Sequence, residues 1–237
     1  MRRRLIKIAV VCGLVIAAVY GCVSLVFPKY HVRFRLTVEV KDGDQIRTGS
    51  SVIEVDYRIV PDGFVNLGGE SGYRPVFGSA PTVDLGPKGL LFLTFLNATR
   101  TPQQIIEFNK RIFCVLYDVA CLPFSAYSTA GSLPVAPAYS SQKAALDQLL
   151  RQSGPRDVPF VTLPQLVRFL DINDWTTMRI VSPSDLSASF GPGVELSRVV
   201  LELTNSVITP QPQIWPQWLK DKKQDTKFGK YSGFEGG

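Results

Sequence analysis

The chain has 237 residues, 45% of them hydrophobic and 19% charged, which suffices for a sizeable core and excludes a disordered chain or a disulfide-dependent miniprotein. Gly (19) and Pro (17) are near average usage and no repeat of about 20–50 residues is present, which excludes collagen-like, low-complexity and solenoid architectures. The formal net charge of +6 sits at the two ends: Arg2, Arg3, Arg4 and Lys7 at one, and a lysine excess beyond Leu219 at the other, while residues 8–219 are neutral, so the body lacks the basic patch expected of a nucleic-acid binder.

The first element is an uncharged apolar run from Ile8 to Phe27, preceded by the arginine cluster and closed by Pro28. As a helix, its ~20 residues at 1.5 Å each span about 30 Å, the thickness of a bilayer's hydrocarbon core. Two fates stay open. The run is either an uncleaved anchor or a lipoprotein signal cut before Cys22, where Ala18-Val19-Tyr20-Gly21-Cys22 places a small residue ahead of a lipid-accepting thiol. Arg2, Arg3, Arg4 and Lys7 favour a cytoplasmic N-terminus, partly opposed by Lys29, Arg33 and Arg35. No later stretch reaches 18 apolar residues, so the body is expected outside the cytoplasm, in the periplasm of an envelope with an inner membrane.

Beyond Pro28 the pattern becomes period two. Val32, Phe34, Leu36, Val38 and Val40 alternate with Arg33, Arg35, Thr37 and Glu39, a half-buried strand. Lys41-Asp42-Gly43-Asp44 supplies a turn, and Ile53, Val55, Tyr57 and Ile59 alternate again, predicting an antiparallel hairpin. Residues 61–88, rich in Gly and Pro, are expected to be a long loop. Leu90 to Leu96 predicts a buried central strand.

Thr101-Pro102-Gln103-Gln104 starts a helix by capping-box logic, with Ile105, Phe108, Ile112 and Leu116 at helical spacing. A loop over 123–139 leads to a second helix over 142–152, capped by Ser141 and closed by Gly154 and Pro155. Gln165–Asp171 and Thr177–Val181 predict two more strands around Ile172-Asn173-Asp174-Trp175. A short helix between Ser182 and Phe190 precedes a strand from Val194 to Thr204. The expected fold class is therefore α+β: an N-terminal transmembrane helix, then an extracytoplasmic domain of antiparallel strands with two main helices. Its organisation is 1–28 as anchor or signal, 29–220 as the domain, and 221–237 as a mobile basic, Gly-ended tail. A boundary near 125–140 is the alternative to one composite domain. Trp215 and Trp218 are expected to dock on the body.

Catalytic parts are scarce. His31 is the single histidine and lies beside the membrane run, which reads as a solvated strand residue rather than part of a triad or a multi-His metal site. Ser140-Ser141-Gln142-Lys143 has the S-x-x-K spacing of serine acyl-transfer enzymes, but no S-D-N or K-T-G partner accompanies it, so it reads as a helix start. Asp171-Ile172-Asn173-Asp174 lacks the sixth-position Gly of a calcium loop, which is Thr176 here, and reads as a turn. Gly69-Glu70-Ser71-Gly72 fails the nucleophile-elbow register, and Asn97-Ala98-Thr99 is a glycosylation sequon by spelling alone. No catalytic, cofactor-binding or metal-binding residue is assigned, and no cofactor is implied. Cys114 and Cys121 are either two buried thiols or a disulfide, and the second requires the helix to end near Tyr117 so that the chain can fold back.

Arg33–Val40 followed by Thr48–Val55, and the stretch running from Leu166–Phe169 to Ser189–Gly193, resemble an uncharacterised family of small bacterial membrane-anchored envelope proteins. The resemblance covers roughly a quarter of the chain. It implies a bacterial envelope setting and supplies no activity and no site residues. The resulting expectation is a membrane-anchored periplasmic protein, held in the inner membrane through residues 8–27, acting as a non-enzymatic interaction or assembly subunit with an envelope protein partner. A lipoprotein anchored at Cys22 is the alternative localisation. A small-molecule or lipid-binding module, and behind it a serine or carboxylate hydrolase, are the alternative functions.

Overall fold

The alternating pattern after Pro28 builds the largest layer of the fold. The computed structural model describes residue 10 and residues 12–14, 29–59, 72–94, 112–119 and 139–210. Strands β1 (Lys29–Asp42) and β2 (Gln45–Arg58) form the expected hairpin. Gly43 takes φ 64° at the first central position of the turn while Asp44 keeps an ordinary φ, the pattern of a II′ turn that matches the twist of the paired strands. β1 buries Val32, Phe34, Leu36, Val38 and Val40 and turns the intervening residues outward.

Next come β3 (Gly72–Phe77), β4 (Thr82–Asp84) and β5 (Leu90–Leu93), then helical residues 112–117 (α1) and Tyr139–Leu149 (α2). The described chain ends with β6 (Pro155–Asp157), β7 (Leu166–Phe169), β8 (Met178–Val181), a single helical turn α3 (Ser187–Phe190), β9 (Val194–Leu203) and an extended segment to Pro210. The strands make two antiparallel sheets, ordered β3-β2-β1-β9-β6 and β4-β5-β7-β8. Their apolar faces and the inward sides of α1 and α2 share one core, in which Phe113 of α1 meets Phe34 edge-to-face at 5.4 Å. The architecture is thus α+β with few helices. The expected membrane span lies almost wholly outside the described residues; among those described, no helix is long and apolar enough to cross a bilayer.

Departures from the sequence reading have local causes. The described part of 61–88 holds β3 and β4 instead of a continuous loop. Pro75 hides β3 from a strand pattern, yet an edge strand tolerates it because the register slips there: Glu54 faces Phe77 while Asp56 faces Arg74. β4 is three residues long, too short to show a period. α2 begins at Tyr139, so Ser141 lies inside its first turn instead of capping it. α3 starts at Ser187, and its first turn is held by Asp185, whose Oδ1 accepts from the Ala188 N–H at 3.0 Å and the Ser187 hydroxyl at 2.7 Å. The Thr101 helix start, Asn97, Trp215, Trp218 and the tail lie outside the described residues.

Two joints close the fold. Gly49 of β2 passes so near β4 that a Cβ there would sit 2.0 Å from the Thr82 carbonyl oxygen. After β9, residues 204–210 cross the outer face of the large sheet. Thr204 N–H still donates to the Arg33 carbonyl, Ser206 Oγ accepts from Arg35 Nη2 at 3.0 Å, and Thr209 then bonds both backbone groups of Val52 on β2. This strap covers Val52, an outward-facing residue that is nevertheless buried.

Candidate functional site

The outward face of the large sheet carries charge in ordered pairs, because the hairpin register sets opposite signs across from each other. Arg33 lies opposite Glu54 and His31 opposite Asp56. Arg33 Nε donates to Glu54 Oε2. His31 Nδ1 lies 2.6 Å from Asp56 Oδ1 and 3.7 Å from Glu54 Oε1. Across the other seam, Arg35 Nη1 reaches Glu202 at 3.4 Å, and Arg198 of β9 pairs with Asp157 of β6. Such pairs add modestly to stability where they meet water. Glu54 differs, since only 7% of it is exposed. A carboxylate this deep is costly to leave without a partner, and Arg33 supplies one.

The His31, Glu54 and Asp56 ligand atoms all lie within 4.8 Å of one another, the one such group of His and carboxylate atoms among the described residues. Beside them opens a cleft of about 570 Å³ lined by His31, Arg33, Leu150, Gln152, Thr204 and Asn205. It lies where β1 begins and β9 ends, at the end of the sheet that meets residue 28. A smaller cleft of about 280 Å³ lies between the Gly86–Lys88 turn and residues 168–172. There the Arg168 guanidinium stacks on Phe190 at 4.6 Å, and Lys88 is bound to Asp42 at 2.7 Å.

The residues singled out from the sequence do not form a catalytic group. Ser140 and Lys143 are exposed on α2. Lys143 Nζ binds Asp147 at 2.5 Å, and that hydrogen bond, with the influence of Tyr30, holds the lysine above its usual pKa of 10.5. A serine-activating lysine needs the opposite shift. The Asp171–Asp174 carboxylates serve their own turn: Asp171 Oδ1 accepts from Asn173 N–H and Asp174 Oδ1 from Thr176 N–H and hydroxyl, which lowers the Asp174 pKa. Cys12 is a free thiol, whereas Cys114 is disulfide-bonded. The partner of Cys114 lies outside the described residues, as do Cys22 and Cys121. α1 does stop at Tyr117, and Asp118 turns the chain with φ 50°, as a bridge to Cys121 requires. Tyr117 is fixed below β9, accepting from Leu203 N–H, and burial pushes its phenol above the usual 10.0.

His31 is exposed on a strand, as the sequence suggests, but it is not solitary. The signal was present in the hairpin. A turn centred on Gly43-Asp44 pairs His31 with Asp56, and a turn one residue earlier would pair it with Glu54, so either register sets it against an acid. Comparison with family models, with curated proteins and with solved structures finds no match.

Proposed function

We propose that the protein is a single-pass, N-inside envelope protein whose extracytoplasmic domain works by binding another envelope component. The observation that carries this reading is the junction at residue 28: the apolar run of 8–27 is followed at Lys29 by β1, the central strand of the large sheet, with no linker between. A domain joined so directly is held against the membrane surface. The resemblance to small bacterial envelope proteins points the same way. Among the described residues nothing pairs with the outer edge of β8, where Ile180 is half exposed, and that edge is one a partner strand could join. Cys114 pairs with Cys121 in this reading, as an oxidising compartment permits.

Crosslinking full-length protein in its native membranes, followed by mass spectrometry, tests the proposal. A stoichiometric envelope protein crosslinked to residues 29–220 is the expected result. A solitary protein would overturn it and favour the second reading, a ligand-binding module, which the membrane-end cleft supports. The mass of the mature N-terminus separates the two anchors: an intact Met1 chain fits a retained helix, and a lipid-modified Cys22 fits the lipoprotein.

A further inference from the structure

We infer that His31, Asp56 and Glu54 form a binding site for a transition-metal dication of the Zn²⁺ type. The three residues supply one imidazole nitrogen and two carboxylates, a donor set suited to such ions and poor for Ca²⁺, which takes six to eight oxygens. Their placement is a property of the sheet. His31 and Asp56 are direct cross-strand neighbours, and Glu54 is the next outward residue on β2.

The two distances from His31 require little adjustment, and the Glu54 and Asp56 oxygens, within 4.8 Å of each other, must draw together around the ion. An ion about 2.1 Å from each donor needs neighbouring donors about 3.0–3.5 Å apart. His31 Nδ1 to Glu54 Oε1 is 3.7 Å, and His31 Nδ1 to Asp56 Oδ1, now at hydrogen-bonding length, is 2.6 Å. The ion therefore replaces the hydrogen between His31 and Asp56, and the neutral ring carries its proton on Nε2 instead.

Glu54 is already oriented for an ion. It is a nine-tenths buried carboxylate with its two oxygens divided: Oε2 takes Arg33, and Oε1 turns toward His31. That division is what an outer partner does for a metal-binding carboxylate, fixing its orientation while leaving one oxygen for the ion. The adjoining cleft, lined by His31 itself, leaves room for water or a ligand at the remaining coordination positions. With Arg33 on Glu54, the ion and the two carboxylates carry a net charge of about +1 together, which a water-derived hydroxide or an anionic ligand from the cleft can offset. The site does not depend on the membrane reading.

The test is a Zn²⁺ titration of the full-length protein in detergent, in competition with a chromophoric chelator, comparing wild type with His31→Gln and Asp56→Asn. Both side chains are partly exposed, at 55% and 20%, so both variants should fold, and far-UV circular dichroism checks that. Asp171→Asn is the control for an unrelated carboxylate. Zinc bound one to one in wild type, weakened at least about tenfold in each site variant and unchanged in the control, is expected. Zinc should also raise the melting temperature of wild type and not of His31→Gln. Equal zinc affinity in wild type and both site variants would place the ion elsewhere, on the Cys12 thiol for example, and overturn the inference. So would the absence of zinc binding in wild type.

Discussion

Replacing Gly49 by Ala should be the most damaging one-carbon change in the described fold. The added Cβ would stand 2.0 Å from the Thr82 carbonyl oxygen, 2.5 Å from its carbon and 2.9 Å from Val83 N. A carbon needs about 3.3 Å from an oxygen, so the two backbones must separate by about 1.3 Å. All three obstacles are main-chain atoms, and no side chain can swing aside. β4 is held by its pairing with β5 and by Leu93 N–H to the Pro81 carbonyl, and it buries Val83 completely. Overpacking at about 1–3 kcal/mol, with one or two ladder bonds at about 1 kcal/mol each, gives a loss of about 2–5 kcal/mol. That is a large part of the about 5–15 kcal/mol a domain has. Gly43→Ala is the control, since nothing lies within 4 Å of its Cβ and only its φ of 64° resists a side chain, at about 1–2 kcal/mol. Urea unfolding followed by tryptophan fluorescence measures both. A Gly49→Ala loss no larger than that of Gly43→Ala would refute the steric argument.

Phe34→Ala, at a fully buried position, should cost about 3–5 kcal/mol, and a double-mutant cycle with Phe113→Leu should show coupling of about 0.5–1.5 kcal/mol from the edge-to-face contact. Burial raises the Tyr117 pKa, so the folded state holds that proton more tightly than the unfolded one. Its contribution is therefore whole below pH 10.0 and lost as the pH climbs from there through the raised folded value, and Tyr117→Phe should flatten the alkaline arm of a stability-pH curve. Asp185 has the opposite sign: its hydrogen bonds from Ser187 and Ala188 lower its pKa. Its contribution is present above the ordinary 3.8 and lost as the pH falls through the lower folded value; relative to Asp185→Asn, wild type should lose stability on the acid side. Non-reducing peptide mapping should join the Cys114 and Cys121 peptides, and a Cys114 linked to Cys22 instead would refute that pairing.

Much of the sheet framework was readable because its strands are half buried. Val32 to Val40 alternates against water along β1, and Ile53 to Ile59 alternates in sequence with Glu54, Asp56 and Arg58, the contrast that a period-two pattern records. β3 and β6 escaped because each is short and carries Pro, as edge strands may. The neighbour of β1 on its second side was not readable. β9 pairs with it across about 160 residues of sequence, a partnership decided by the shared core and not by any local signal. Gly49 did carry a local sign, since a lone Gly inside a strand marks a bulge or a close backbone approach. The candidate site was hidden for a related reason. His31 looks isolated along the chain, and its two acids are neighbours only once the hairpin register is imposed.

The place of β1 also has a mechanical meaning. A force arriving through residue 28 pulls along the axis of a strand paired on both sides, with β2 for its whole length and with β9 from Phe34 to Asp42. Hydrogen bonds perpendicular to the pull are loaded in shear, many at once, instead of being peeled apart in turn. The strap from β9 to Val52 bridges the two flanking strands across β1, so sliding β1 out would also strain that tie. If the proposed anchor holds the chain at residue 28, the domain is built to resist extraction from that end.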